Sequence, residues 1–171
     1  MKKIIFLITF LSILFFAPVA SAQTYTYHAS ASLNATEGDP VDLRAVVLKN
    51  YFESHNSPLA DYAEVFIEYS DEYTLDWRLV PAITGVESTF GKRIPYNSYN
   101  AYGWANGKYS FGSWEESIGV VSKALSEKYI ARGANTTYEI ARIYAPPSST
   151  WAGNVEFFKN KIEPLPLDYA L

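Results

Sequence analysis

The sequence predicts a mainly α (α+β) domain that carries one small aromatic β-hairpin lobe. Three observations predict it. Helix start and stop signals recur at close intervals between Asp39 and Pro164. Between them, apolar residues repeat at three- and four-residue spacing. One stretch, RIPYNSYNAYGWANGKYSFGSW (93–114), breaks that period and holds an Asn-Gly turn signal.

Taken in order, the chain opens on Lys2 and Lys3, an apolar run over residues 4–19, and the small-residue triplet Ala20-Ser21-Ala22. This is the pattern of a cleaved secretory signal peptide over residues 1–22. An uncleaved membrane anchor is the alternative, but the apolar run falls short of the roughly 20 residues a spanning helix needs. Residues 23–39 are rich in Thr, Ala and Ser without helical period and read as a flexible leader. The domain is expected over residues 40–164, with 165–171 as a tail.

The first helix is expected to open at Asp39-Pro40, Asp as N-cap and Pro at the first helical position, with Leu43, Val46, Val47 and Tyr51 on its inner face. Ser57-Pro58 starts a second, with Leu59, Tyr62, Phe66 and Tyr69 in register. A third begins near Asp76 with the stripe Leu79, Ile83, Val86 and Phe90. Pro81 lies deep for a first-turn proline, so a kink or a later start is expected. Ser113 and Glu116 form one S-x-x-E capping box and Gly133 closes that helix. Thr136 and Glu139 form a second box, ahead of a stop at Pro146-Pro147. Thr150 starts the sixth and last helix, with Val155, Phe158 and Ile162 inward.

Composition excludes several chemistries. Without residues 1–22, twelve Lys and Arg face eighteen Asp and Glu, a net charge near −6. That is the opposite of a nucleic-acid binder's basic face, and a membrane is expected to be met only through the transient signal segment. There is no cysteine, hence no thiol nucleophile. The two histidines, His28 and His55, have no ligand cluster near them, and His55 reads as a surface residue at a helix end. No metal or organic cofactor is implied. Chemistry in this chain must run on carboxylates, tyrosines and backbone dipoles.

One carboxylate stands out. At 100° per residue from Leu79, Glu87 falls at about 80°, between Ile83 and Val80 and inside the apolar arc, with Arg78, Gly85 and Ser88 on the outward side. A carboxyl placed there loses solvation, its charged form is disfavoured and its pKa rises. A neutral acid near pH 6 can protonate a departing glycosidic oxygen. The alternative is a structural Glu87 paired with Lys92 or Arg93.

The aromatic insert supplies the second half of a cleft. With Asn106-Gly107 as a type I′ turn, Trp104 faces Tyr109 and Tyr102 faces Phe111. All four then stand on one side of a hairpin, as core packing or as a platform for sugar rings. Tyr96 and Tyr99, set among Asn97 and Asn100, read as cleft-lining groups. Glu115 and Glu116 lie nearby, but a helix first turn and a capping box explain them, so no second catalytic carboxylate is evident.

Four blocks in this order, LDWRLVPAITGVESTFGK, YNAYGW, FGSWEESI and IYAPPSSTW, make the chain similar to the bacterial glucosaminidase-type peptidoglycan hydrolases of the lysozyme superfamily, over residues 61–162. The resemblance implies a lysozyme-like fold, secretion or a cell-envelope location, and cleavage of β-1,4 bonds in the glycan strands of peptidoglycan. It implies Glu87 as the general acid. Asn100, Tyr102, Gly103 and Trp104 match the family's N-x-F/Y-G-aromatic block at the cleft. Tyr144 matches the tyrosine facing the acid, although a core tyrosine would also suit its position. Tyr96, Tyr99, Asn100, Tyr102, Trp104 and Tyr109 are then the candidate substrate-binding residues. The family's glucosaminidases usually carry an aliphatic pair where this chain has Tyr102 and Trp104. Two other readings therefore stay open: a lytic transglycosylase or muramidase on the same fold, and a non-catalytic wall-binding module.

Overall fold

The computed structural model describes residues 41–162, which form six α-helices and, among those residues, no strand. The expected signal segment (1–22), leader (23–39), Asp39-Pro40 start, Pro164 stop and tail (165–171) lie outside the described residues, as does His28.

Helix α1 (Leu43–Ser54) is capped by Asp42, whose side chain accepts from the Arg44 N–H at 2.8 Å. Arg44 also reaches Asp71 at 2.7 Å, tying α1 to the end of α2 (Ala63–Glu72). The buried face of α1 is Ala45, Leu48 and Phe52. This corrects the predicted stripe: Leu43 and Val46 are exposed, and Val47 and Tyr51 only flank the core. Polar residues (Arg44, Lys49, Asn50, Glu53) are spread among the apolar ones around the whole helix, so spacing alone could not choose its inner face.

Ser57 starts the next segment as expected. Its hydroxyl accepts from the Leu59 N–H and donates to the Phe90 carbonyl at 2.8 Å, ahead of a 3₁₀ turn (Ala60–Tyr62) that leads into α2. Helix α3 (Leu79–Ser88) starts later than Asp76, whose carboxylate accepts from the Arg78 N–H. Pro81 therefore sits in the first turn, where no N–H is needed. Helix α3 packs most extensively on α6 (Trp151–Lys161). Gly85 and Ser88, expected on its outward side, are both buried. A Cβ on Gly85 would lie 2.6 Å from the Phe90 ring and 3.0 Å from Phe158, so glycine is what lets α6 close over α3. The periodic reading assumed one solvated face, but neighbours cover the helix there and leave only Val86 and Glu87 half-buried.

Helix α4 (Trp114–Ala124) begins at Ser113, which accepts from the Glu116 N–H at 3.2 Å. The reciprocal arm of the predicted box shifts by one residue, because the Glu116 carboxylate takes the Gly112 N–H instead. The helix runs on as a π-helical turn (Leu125–Tyr129) and a 3₁₀ turn to Gly133, which ends it at φ 95°. The Thr136–Glu139 box is complete and opens α5 (Thr137–Tyr144). His55 is half-buried, its ring 4.6 Å from that of Phe90, and so is part of the packing rather than the surface.

The predicted hairpin is replaced by an irregular loop. Asn106 and Gly107 both have positive φ (55° and 75°), and the Lys108 N–H reaches the Ala105 carbonyl, so the tip follows the expected turn chemistry. No ladder follows it. The buried Asn100 amide sits where cross-strand bonds would run. It donates to the Trp104 and Tyr109 carbonyls, both at 2.9 Å, and accepts from the Trp104 N–H at 2.9 Å. One side chain thus satisfies the backbone that a second strand would have paired.

Candidate active site

The site grows from the end of α3. Thr89, Phe90 and Gly91 all take positive φ (54°, 58° and 76°), a conformation that costs a β-branched residue such as Thr89 steric energy. It turns the chain sharply one residue after Ser88. The Ser88 hydroxyl lies within hydrogen-bond distance of the Thr84 and Ala101 carbonyls and accepts from the Gly91 N–H at 2.9 Å. A single hydroxyl thereby ties the helix end to the aromatic loop. Glu87, the preceding residue, is directed at that same loop.

Glu87 is half-buried, and among the described residues no cation lies within ion-pair distance of it. Lys92, one of its predicted structural partners, donates to the His55 carbonyl instead. The two carboxyl oxygens have different surroundings. Oε1 accepts the indole N–H of Trp151 at 2.6 Å. Oε2 faces Gly103, close enough that a Cβ there would lie 2.9 Å away. Gly103, at φ 64°, is required both for its conformation and for the room it leaves. Burial pushes the Glu87 carboxyl above the ordinary value of 4.5, with the indole hydrogen bond opposing the shift. An indole N–H can only donate, and the carbonyl oxygen of a carboxylic acid is its better acceptor, so in the protonated form of Glu87 the proton belongs on Oε2.

Tyr144 completes a ring of contacts. Its plane lies 28° from that of Trp151 with ring centroids 4.9 Å apart, and its hydroxyl donates to the Tyr102 carbonyl at 2.6 Å. Burial and then the nearby Glu87 charge hold the Tyr144 hydroxyl well above the ordinary tyrosine range. Its proton is held on the Tyr102 carbonyl in this structure. The circuit Glu87, Trp151, Tyr144, Tyr102, Gly103 fixes the acid from both sides.

A cavity of about 180 Å³ adjoins Gly103, lined by Tyr102, Gly103, Trp104, Ala105, Asn106, Tyr129 and Tyr144. No carboxylate lines it, and Glu87 meets its wall at Gly103. Among the described residues no group of three or more His, Cys, Asp or Glu could hold a metal ion.

The predicted residues divide clearly. Glu87, Tyr144 and the Tyr102–Trp104 segment are brought together. Tyr102 contributes its backbone, since its ring is only 1% exposed and in the core, out of reach of a sugar. Asn100 is also buried, its amide taken up by the loop. Tyr99 packs edge-on against Trp114, and Tyr109, half-exposed, against Phe111. Tyr96 is 93% exposed. Sequence reasoning gave no role to Trp151, Ser88 or Tyr129. Trp151 left a usable signal: it opens a helix straight after Ser148, Ser149 and Thr150, and a buried indole must find an acceptor.

No protein-family model matches the chain, and no curated protein matches it. The chemistry of the site must speak for itself.

Proposed function

We propose that this chain is a secreted or cell-envelope glycan hydrolase of lysozyme-like fold. It cleaves β-1,4 glycosidic bonds in peptidoglycan, in the manner of an endo-β-N-acetylglucosaminidase, with Glu87 as the general acid. The observation that carries the reading is the state of Glu87: a half-buried carboxyl without a cation among the described residues, one oxygen held by an indole and the other against Gly103, which lines an aromatic-walled cavity. Only an acid that keeps its proton near neutral pH can serve this reaction. In the step itself, the Oε2 proton passes to the glycosidic oxygen as the bond to the anomeric carbon breaks. The carboxylate left behind retains the Trp151 hydrogen bond. Tyr144 and Trp151 are positioning residues in this scheme, because they act through Glu87 and the Gly103 loop.

The paired-carboxylate mechanisms place two acids roughly 5–9.5 Å apart. The circuit around Glu87 (Trp151, Tyr144, Tyr102 and Gly103) holds no second carboxylate, and attack on the anomeric carbon assisted by a group of the substrate itself needs only the one acid. The same observation keeps a lytic transglycosylase as the second reading, in which a substrate hydroxyl is the attacking group.

Glu87→Gln, assayed on purified peptidoglycan, tests both readings. Loss of cleavage by about 10² to 10⁴-fold with binding retained is expected for a general acid. Equal activity in variant and wild type, or none in either, would remove the hydrolase reading and leave a binding module. Mass spectrometry of the products separates the enzymes, since hydrolysis leaves a free reducing end and transglycosylation an internal anhydro ring.

A further inference from the structure

The π-helical turn at Leu125–Tyr129 lines two cavities at once. Tyr129 belongs to the 180 Å³ cavity beside Gly103. Glu127 and Lys128 belong to a neighbouring cavity of about 240 Å³, completed by Trp104, Val120, Lys123 and Ala124. Trp104 is the shared wall. π-turns are uncommon and collect at functional sites, because the extra residue widens the helix and redirects the side chains that follow. Here the widened turn spans both cavities.

The second cavity has a definite chemical character. It offers the half-buried face of Trp104, the apolar Val120 and Ala124, and two ammonium groups against one carboxylate, in a chain whose net charge is −4. Lys123 pairs with Glu127 only loosely, at 3.9 Å with both side chains 56% exposed, and such a contact stabilises little. Lys128 has no carboxylate within ion-pair distance among the described residues. An aromatic wall with two cations open to solvent suits an anionic, amide-rich chain better than a neutral sugar.

We infer that the cavity between Trp104 and the π-turn is a second binding site, which takes the carboxylate-bearing peptide of the substrate while the glycan lies beside Gly103. The inference rests on the hydrolase reading and sharpens it: the preferred substrate is peptide-substituted glycan, not the naked strand. Lys123 and Lys128 are the specificity residues, and Trp104 separates sugar from peptide. Charge attraction of this kind weakens with salt, because exposed charges are screened over about 10 Å at 0.1 M.

The test uses the full chain carrying Glu87→Gln, so that ligand is bound without being cut. Calorimetry compares soluble glycan fragments bearing peptides with the same fragments stripped of them. The parent should bind peptide-bearing fragments more tightly. Adding Lys123→Glu and Lys128→Glu together should cost about five- to tenfold in affinity for those fragments and leave the stripped ones unchanged. Both lysines are exposed, and circular dichroism checks that the fold is kept. Equal affinity of the parent for the two ligands overturns the inference, as does an equal loss for both on charge reversal. If wild-type protein cuts glycan in either case, the hydrolase reading survives that failure. If wild type cuts nothing and the parent binds neither fragment, the hydrolase reading has failed, and the inference with it.

Discussion

The two sides of the candidate site are built on opposite plans. Helix α3 is a wall: eight of its ten residues are buried, and its position is set by packing against neighbouring helices. The loop from Pro95 to Gly112 faces it with almost no regular structure, and its shape depends on a few polar anchors. These are the Asn100 amide, the Ser88 hydroxyl reaching the Ala101 carbonyl, and the Tyr144 hydroxyl on the Tyr102 carbonyl. Packing spreads its stabilisation over many atoms, so small errors are shared. A polar anchor concentrates it in one group, and losing that group leaves buried donors and acceptors unpaired. The difference teaches where precision resides: the wall carries the acid, and the anchored loop sets what the acid can touch.

The sharpest way to break the comparison is Asn100→Ala. It removes three good hydrogen bonds and orphans the backbone of Trp104 and Tyr109, for an expected loss of about 3 kcal/mol in a denaturant titration. An effect below about 1 kcal/mol would mean that the loop is held by packing after all. On the wall, Gly85→Ala should cost about 2 kcal/mol, because the new methyl group must displace the Phe90 and Phe158 rings. A neutral result there would show that α3 and α6 have slack between them.

Gly103→Ala tests the contact between wall and loop. The new Cβ would meet Glu87 Oε2, and φ 64° is unfavourable for alanine, so stability should fall by about 1 kcal/mol. Glycan cleavage should drop further than that, by about tenfold or more, since the acidic oxygen itself is moved. Parallel losses in stability and rate would make Gly103 a turn residue only.

Trp151→Phe gives the smallest change and the most specific. The indole hydrogen bond opposes the upward shift of Glu87, so its loss should raise the carboxyl pKa and carry the alkaline limb of the pH–rate profile to higher pH. Stability gives an independent check of sign. A carboxyl whose pKa is higher folded than unfolded binds more protons folded, so stability falls as pH rises from about 4.5 through the folded value. Glu87→Gln abolishes that fall. Its gain over wild type should be absent at pH 4 and present at neutral pH in paired thermal melts.

Much of the architecture was legible from local chemistry. The capping residues Ser113 and Thr136, the Gly133 stop, the delayed start forced by Pro81 and the left-handed tip at Asn106-Gly107 follow from the residue and its immediate neighbours. The inner face of α1 was not legible, because polar and apolar residues are mixed around that helix. The missing hairpin was not legible either. Its turn was encoded locally, but whether flanking backbone pairs with itself or with a side chain depends on what folds nearby, and the Asn100 amide won that competition.

The sequence alone determined a six-helix domain and an acid on an apolar helical arc, because both depend on interactions within one or two turns of the chain. Only the tertiary structure decided the acid's company. The indole of Trp151 comes from 64 residues further on and the Tyr144 hydroxyl reaches back 42 residues to its carbonyl, and contacts across such spans leave no periodic trace in the chain. They exist because α6 packs on α3, and that packing follows from the summed burial of the whole core.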